Sequence, residues 1–218
     1  MRIVSVQAGR VERFTPSDGR PLESAIRKRT VAGPVAIDRD GIAADAVFET
    51  DVHGGPERAL HVFDRASYRH FEALAGRPLP VPNFGENLTI AGYDEFEARV
   101  GDRLRAGTAL LEVSQPTERC AKPGRHAGEP RLLRWVLESN RCGFYLRVLE
   151  PGTLAAGDAL EPVARGPAEW TIARLSELML RGLGNLEHVR AAQALPALAD
   201  EWKQRLEVLR ERSLGRSA

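Results

Sequence analysis

Cysteine is scarce in this sequence of 218 residues, and long apolar runs are missing. Cys120 and Cys142 are too few for the disulfide framework of a small secreted domain or for an all-cysteine iron–sulfur or zinc site. No apolar run approaches the roughly 20 residues that span a bilayer, and the opening segment MRIVSVQAGRVERF lacks the apolar stretch of a signal peptide. We therefore expect a cytoplasmic protein with two reduced thiols.

A charge excess of either sign is absent as well. The 31 basic and 30 acidic residues leave a formal net charge of +1, so no global field attracts nucleic acid or an anionic membrane. The motifs GxxxxGKS/T, GxGxxG, GxSxG and HExxH do not occur, which argues against a nucleotide-dependent enzyme or a zinc hydrolase. Any anion site must therefore be a local cluster of donors.

Short apolar runs separated by turn residues fill the chain up to about residue 165. They are RIVSVQAG, GPVAIDRDG, NLTIAGYDE, EARVGDRLRAG, ALLEVSQP and FYLRVLEPG. Such runs, bounded by Gly, Asn, Asp and Pro, predict an antiparallel β-barrel or sandwich. Helical spacing of apolar residues predicts two helices within this part, at residues 64–76 and 131–139.

Helical periodicity dominates after the segment GPAEW. Apolar stripes predict three helices, the second of them following Asn185 as an N-cap and the third following Pro196. The stripe positions are Ile172, Leu175, Leu178, Met179, Leu198, Trp202, Leu206 and Leu209. We therefore predict a mainly β (α+β) chain with a barrel domain at residues 1–165 and a compact three-helix domain at residues 168–213.

Two turns of the β-rich part carry polar side chains. VHGGPERALHVF places two glycines where backbone amides can approach an anion, and NFGENLTI sets polar side chains around one glycine. Neither pattern is specific by itself: HGG alone favours a tight turn before a strand, and the second segment is also typical of a hydrogen-bonded loop. The candidate residues are His53, Gly54, Gly55, Arg58, Asn83, Gly85, Glu86 and Asn87.

Cys120 lies in a cationic segment, SQPTERCAK, between Arg119 and Lys122. Neighbouring cations favour the thiolate, which ligates a soft metal, carries sulfur or attacks an electrophile. Cys142, in NRCGFYLRV, directly precedes a glycine and an apolar strand, so we expect a packing role for it. Only three lysines occur beside 28 arginines, and Lys28 and Lys122 flank the two most cationic turns.

Taken jointly and in order, these segments resemble the MOSC family, named for the molybdenum cofactor sulfurase C-terminal domain. The resemblance is closest to its stand-alone bacterial YiiM-like branch. It rests on HGGPERALHVFD, NFGENLTI, VGDRLRAGTALLEVSQP, the turn with Cys120, and GFYLRVLEPGTLAAGD. The segment LPALADEWKQRL resembles the three-helix domain that follows the barrel in that branch, so almost the whole chain is covered.

The resemblance implies a β-barrel that holds the molybdenum cofactor (molybdopterin). Cys120 takes the position of the family's motif cysteine, the proposed molybdenum ligand and catalytic residue or, in sulfurase relatives, a persulfide carrier. The cofactor-binding positions that it implies, together with the lysine two residues after Cys120, are Lys28, Asp45, His53, Gly54, Gly55, Arg58, Asn83, Gly85, Glu86, Asn87, Lys122 and Arg147.

The YiiM-like branch is associated with the reduction of N-hydroxylated compounds such as 6-hydroxylaminopurine. The resemblance therefore implies a molybdenum-dependent N-hydroxyl reductase. Because no flavin, haem or iron–sulfur signature occurs, we expect a separate reductase to supply the electrons. We expect no nucleic-acid or membrane partner, and a homodimer is an open possibility. Two alternatives stay open: a sulfur-transfer protein with a Cys120 persulfide, and a non-catalytic cofactor carrier.

The sequence departs from the family's pattern in two motifs. Ala44 replaces the second glycine of GxxGDxxxD and Glu49 its final aspartate, so a positive φ at Ala44 would be strained. Thr117 and Arg119 replace an arginine and a proline of SQPRxPCxK. Either a shifted guanidinium substitutes, or the pocket binds a different ligand. We expect these changes to affect the substrate more than the fold.

Overall fold

The computed structural model describes residues 1–46, 54–181 and 186–215. Within these ranges, the strands are β1 (Arg2–Ala8), β2 (Glu12–Phe14), β3 (Leu22–Ser24), β4 (Arg29–Thr30), β5 (Val35–Asp38), β6 (Gly41–Ile42), β7 (Leu60–Asp64), β8 (Leu88–Ala91), β9 (Arg103–Ala106), β10 (Ala109–Pro116), β11 (Phe144–Glu150), β12 (Gly152–Leu154) and β13 (Leu160–Ala164). The helices are α1 (Arg65–Ala75), α2 (Lys122–Ala127), α3 (Leu132–Ser139), α4 (Ile172–Arg181), α5 (Leu186–Gln193) and α6 (Asp200–Gly215).

Eight strands form one curled sheet in the order β13–β9–β10–β11–β7–β8–β1–β4. The two sides of the sheet meet at one end, where Arg2 bridges Ala159 and the amide of Ile3 donates to the carbonyl of Asp158 at 2.9 Å. A second sheet, β12–β5–β6, and the β2–β3 hairpin are separate. The sheet is therefore a partly closed barrel, which confirms the predicted fold class.

One strand pair differs from the predicted antiparallel arrangement. Strands β7 and β8 run parallel, whereas the other named pairs of the large sheet are antiparallel. Helix α1 lies between β7 and β8 in the chain, and a parallel pair needs a crossover of this kind. The prediction of a purely antiparallel barrel is wrong here because helix α1 returns the chain to the starting edge.

Strand alternation separates the core from the outer face of the sheet. On β11, Phe144, Leu146 and Val148 belong to the apolar core of the barrel. Tyr145 and Arg147 alternate with them and therefore lie on the opposite face. That outer face is where polar side chains of the strands are available to a site.

The helices predicted from apolar spacing are confirmed, and α2 was missed. Helix α2 begins at Lys122 with Pro123 in its first turn, where the missing amide proton of proline has no intrahelical partner to lose. Its sequence KPGRHA contains the residues that usually mark a turn. The predicted N-cap, Asn185, lies outside the described residues. The run EARVGDRLRAG is a strand only over β9.

The C-terminal helices share one apolar core with the barrel. Leu175, Trp202 and Leu206 are buried in the same cluster as the strand residues, and the amide of Ile172 donates to the carbonyl of Ala98 at 2.8 Å. The domain boundary between residues 165 and 168 stays a prediction. In the part of the chain that the structure describes, no helix combines the length and apolar character needed to cross a bilayer.

Candidate functional site

One cavity gathers residues from distant segments of the chain. It is bordered by residues from the stretches 24–28, 40–46, 54–61, 84–87, 117–123 and 132–136, by Cys142, and by Tyr145 of β11. Nine of the predicted site residues line it: Lys28, Asp45, Gly54, Gly55, Arg58, Gly85, Asn87, Cys120 and Lys122. His53 lies outside the described residues. Residues far apart in sequence therefore meet at one place.

Asn83 and Glu86 do not line this cavity but support the loop beside it. Both are fully buried. The hydroxyl of Tyr68 donates to Glu86 Oε1 at 2.6 Å and accepts from the amide of Asn83 at 2.6 Å, and the amide of Phe84 donates to Glu86 Oε2 at 3.0 Å. Burial raises the pKa of Glu86, and these hydrogen bonds oppose the rise. These hydrogen bonds fix the shape of the loop beside the cavity. A direct contact of Asn83 or Glu86 with a cofactor stays a prediction.

Arg147 is also absent from the cavity. Its guanidinium lies on the outer face of β11, where it bonds Glu112 Oε2 at 3.1 Å, the carboxylate of Glu57, and the carbonyl of Ala197 at 2.8 Å. These contacts connect the sheet to the 3-10 turn at Pro56–Arg58 and to the segment before α6. The structure does not bring Arg147 together with Cys120, and its predicted role as a cofactor contact stays untested.

Lys28, Asp45 and Asn87 form what we call the barrel wall of the cavity. The Lys28 ammonium contacts both carboxylate oxygens of Asp45, and Asn87 Nδ2 donates to Asp45 Oδ2 at 2.7 Å. The side chains of Lys28 and Asp45 are only 6% and 10% exposed. Burial lowers the pKa of Lys28, and the charge of Asp45 opposes this change. Asp45 therefore neutralises the positive charge of Lys28, which the sequence had suggested as an anion-binding group.

The backbone of Gly9 packs closely against the barrel wall. The amide of Gly9 donates to Asp45 Oδ1 at 2.8 Å. A Cβ atom on Gly9 would lie 3.0 Å from Cγ and 3.1 Å from Cα of Lys28, so a larger residue would displace the lysine. Ala44 carries no strain, because among the described non-glycine residues only Asn140 has a positive φ. The departure from glycine at Ala44 therefore leaves Asp45 in place.

The turn with two glycines brings Arg58 to the cavity. Gly55 has φ 92°, a conformation that favours glycine, and it precedes the 3-10 turn. Arg58 is buried; its Nη1 donates to the carbonyl of Gly54 at 3.1 Å, and its other terminal nitrogen pairs with Glu201 of α6. A cationic side chain on the cavity is therefore tied to the C-terminal helix.

Residues 117–121, named here the cysteine loop, present Cys120 to the cavity. Cys120 is half-buried. Arg119 Nη2 donates to Asn140 Oδ1 at 2.6 Å and to the hydroxyl of Ser176, while Glu118 pairs with Arg205. The two residues immediately before Cys120 are thus held by side chains of other elements.

The second cysteine lies in a different environment. Cys142 is buried and its thiol donates to the carbonyl of Gly143 at 3.3 Å. Burial raises the pKa of Cys142 to about 11, so its thiol stays protonated at neutral pH. Although Cys142 borders the same cavity, its chemistry agrees with the predicted packing role. Cys120 is therefore the better candidate for a thiolate.

Two aromatic residues on the strands that border the cavity were missed by the sequence analysis. Tyr145 and His61 are cross-strand neighbours on the outer face of β11 and β7, with ring centroids 5.2 Å apart. Burial raises the pKa of Tyr145 far above its ordinary value, so the phenol keeps its proton. Because side chains alternate along a strand, Tyr145 lies on the same face of β11 as Arg147, a predicted site residue. Applying this alternation to the sequence would have identified Tyr145 as a candidate.

The polar atoms of the cavity region fit a polar ligand that also carries a soft metal. Four cationic and three carboxylate side chains of the described residues line the cavity. Thr117 also lines the cavity, and its Oγ1 is buried without a hydrogen-bond partner among those residues. Buried polar atoms are normally paired, and the Cys120 thiol suits a soft metal. The donor set therefore fits the molybdenum cofactor.

Comparisons with known proteins agree with this geometry. Residues 49–161 match the MOSC domain. The chain is 34% identical over 166 residues to Protein YiiM of Escherichia coli (strain K12), which covers 74% of this chain and 72% of that protein. It is 30% identical over 182 residues to a protein of Gibberella moniliformis (strain M3125 / FGSC 7600) named Reductase, which covers 81% of this chain but only 32% of the fungal protein.

A solved structure is similar over nearly the whole chain. The crystal structure of YiiM from Geobacillus stearothermophilus matches with a TM-score of 0.81 and 29% identity, over 96% of this chain and 98% of that one. The similarity therefore includes the C-terminal helices as well as the barrel. MOSC domains are associated with the molybdenum cofactor. This chain belongs to the MOSC domain family, in its YiiM-like branch.

Proposed function

We propose that this chain binds the molybdenum cofactor in the cavity and reduces N-hydroxylated compounds to amines, with electrons from a separate reductase. The observation that carries the proposal is the convergence of the half-buried thiol of Cys120 with Arg58 and Lys122 around one cavity. The fungal relative named Reductase supports a redox reaction. The overall reaction consumes two electrons and two protons and releases an amine and water.

Different parts of the cavity suit different parts of the cofactor. The thiolate of Cys120 is a ligand for a soft metal, whereas Arg58, Lys122 and the amides of Gly54 and Gly55 suit a terminal phosphate. When bound, the cofactor would supply the two-electron redox centre for reduction of an N-hydroxyl group. The barrel wall then carries almost no net charge, because Asp45 pairs with Lys28, and it serves to shape the pocket.

Tyr145 is the residue that we assign to the substrate. Burial keeps its hydroxyl protonated, so it can donate a hydrogen bond at neutral pH without ionising. A hydrogen bond to the N-hydroxyl oxygen orients that group and favours its departure as water. His61, adjacent to the Tyr145 ring, restricts the orientation of the phenol.

The replacement Cys120→Ser tests the proposal directly. We expect wild-type protein, produced with a supply of the cofactor and purified without oxygen, to contain molybdenum and to reduce 6-hydroxylaminopurine with an artificial reductant. The variant should lose the metal and the activity. Its unfolding free energy should change by less than about 0.5 kcal/mol, because one partly exposed small side chain contributes little packing. Cys142→Ala is the matched control and should retain molybdenum.

Other outcomes favour the other classes of protein. Bound molybdenum without turnover favours a non-catalytic carrier. No molybdenum but a cyanide-labile sulfur on Cys120 favours sulfur transfer. Normal molybdenum content in the Cys120→Ser variant rules out direct ligation by this cysteine.

A further inference from the structure

We propose that the C-terminal helices are part of the site, because three of their side chains position the cavity's own residues. These side chains, Ser176 of α4 and Glu201 and Arg205 of α6, are named the C-terminal clamp. None of them lines the cavity; they act through residues that do. The inference deepens the proposed function and rests on it for its catalytic consequence. The positioning itself does not depend on which ligand the cavity binds.

The first contact of the clamp fixes Arg58. The carboxylate of Glu201 pairs with the guanidinium of Arg58, whose side chain is 6% exposed, while that of Glu201 is 36% exposed. An arginine presents five donors in a rigid plane, so a carboxylate on one edge determines where the other edges point. Glu201 therefore sets the direction in which Arg58 presents its remaining donors.

The second contact fixes the cysteine loop from the solvent side. Arg205 pairs with Glu118, two residues before Cys120, and its guanidinium lies 5.7 Å from the ring centre of Trp202. Trp202 is buried in the shared core, so it anchors the helix that carries Arg205. Movement of Glu118 away from the cavity would break this ion pair.

The third contact fixes the residue adjacent to Cys120. Arg119 Nη2 donates both to the hydroxyl of Ser176 and to Asn140 Oδ1, and Ser176 Oγ donates to Asn140 Oδ1 at 2.7 Å. Asn140 Nδ2 in turn donates to the carbonyl of Ala173 on α4. Consecutive residues of the cysteine loop, Glu118 and Arg119, are thus attached to two different C-terminal helices.

The clamp accounts for charged residues on the C-terminal helices that packing against the barrel does not require. Packing alone requires apolar positions such as Trp202 and Leu206, and it does not require a carboxylate opposite Arg58 or a guanidinium opposite Glu118. Since Glu201 and Arg205 are one helical turn apart, one face of α6 contacts both Arg58, which follows the turn with two glycines, and the cysteine loop. Glu201 and Arg205 are therefore positioning residues.

Hydrogen exchange of the full-length protein without cofactor tests the positioning. We expect Arg205→Gln to speed amide exchange in the cysteine loop, and Glu201→Gln to speed it in residues 54–58, each about two- to fivefold, the range of a partly exposed ion pair. Exchange within α1, which neither contact touches, should stay unchanged. Lys203→Ala and Glu211→Gln change charge on the same helix away from these contacts and are the controls.

A charge reversal separates positioning from general destabilisation. The double variant Glu118→Arg/Arg205→Glu restores the ion pair with opposite polarity. Because Arg205 also lies 4.0 Å from Glu201, the double variant is compared with Arg205→Glu alone, and we expect its cysteine loop to exchange more slowly than in that single variant. Molybdenum retention should fall in Arg205→Gln and recover in the double variant. If Arg205→Gln does not fold, Glu118→Gln breaks the same pair from the loop side and gives the same readout.

The results that overturn the inference differ from those that overturn the proposed function. The inference is wrong if the single variants leave amide exchange unchanged in both the cysteine loop and residues 54–58. It is also wrong if the charge-reversed pair does not slow exchange in the cysteine loop. Wild-type protein that retains no molybdenum removes the proposed function, but leaves the exchange measurements as a complete test of positioning.

Discussion

The barrel wall and the cysteine loop line the same cavity but are held in different ways. Lys28, Asp45 and Asn87 are joined by buried hydrogen bonds and a buried ion pair that belong to the barrel itself. Glu118 of the cysteine loop is instead held by the partly exposed Arg205, and Arg119 by the buried hydroxyl of Ser176, both on the C-terminal helices. The first region is built like a core, and the second like an interface between elements.

Because of this difference, substitutions in the two regions should affect different properties of the protein. A buried charge that loses its partner stays desolvated and destabilises the whole protein, whereas a partly exposed pair is screened by water and contributes little. Substitutions in the barrel wall should therefore reduce the free energy of unfolding. Substitutions around the cysteine loop should change ligand retention while the fold persists.

The largest expected effect is that of Asp45→Ala. The variant leaves the ammonium of Lys28 buried without its carboxylate, and we expect the unfolding free energy in urea to fall by about 3 kcal/mol. Asp40→Ala is the control, because Asp40 borders the same cavity but is exposed, and its removal should change stability by less than about 0.5 kcal/mol. Equal losses in the two variants would contradict the buried-pair interpretation.

A smaller effect follows from the pH dependence of Cys142. The pKa of its thiol is raised from 9.0 to about 11 on folding, so above pH 9 the unfolded chain loses this proton while the folded chain keeps it. Wild-type stability should therefore fall relative to Cys142→Ala between pH 9 and 11, by roughly 2 kcal/mol in total. Chemical unfolding across this range measures the difference.

The matched control for this titration is Cys120→Ser, which keeps Cys142. It should lose stability between pH 9 and 11 as the wild type does. A pH-independent difference between wild type and Cys142→Ala would show that Cys142 is not shielded from solvent in the folded protein.

The smallest expected effect on stability is that of Thr117→Val in the cysteine loop. The hydroxyl of Thr117 is buried without a partner among the described residues, so its removal should change the unfolding free energy by less than about 0.5 kcal/mol. Molybdenum retention should nevertheless decrease if this hydroxyl contacts the ligand. The same change at Thr89, whose hydroxyl donates to Glu86, should cost about 1.5 kcal/mol. A stability loss at Thr117 as large as that at Thr89 would show that its hydroxyl has a partner within the protein.

Much of the fold was predictable because its signals are local. Helices α1 and α3 follow apolar residues at helical spacing, and strands β1, β10 and β11 follow runs bounded by turn residues. Helix α2 escaped prediction because proline and glycine in KPGRHA are typical of turns. The parallel pairing of β7 with β8 escaped because strand order depends on contacts between distant segments.

The candidate site was predictable only as a set of positions. Motif resemblance assigned Lys28, Cys120 and Arg147 to one site, and the structure brings the first two to the cavity but not the third. The partners of Arg147 are 90, 35 and 50 residues away in the chain, at Glu57, Glu112 and Ala197. No local pattern indicates such a partner.

The amino-acid sequence by itself determined the class of the fold, the helical character of the C-terminal part and the cysteine in a cationic turn. These properties follow from periodicity, turn chemistry and charge within short windows of the chain. Only the tertiary structure decided that Asp45 balances Lys28, that Tyr145 joins the cavity, and that Glu201 and Arg205 reach Arg58 and Glu118. Such pairings depend on how the sheet curls and where the helices pack, which brings together charges that are far apart along the chain.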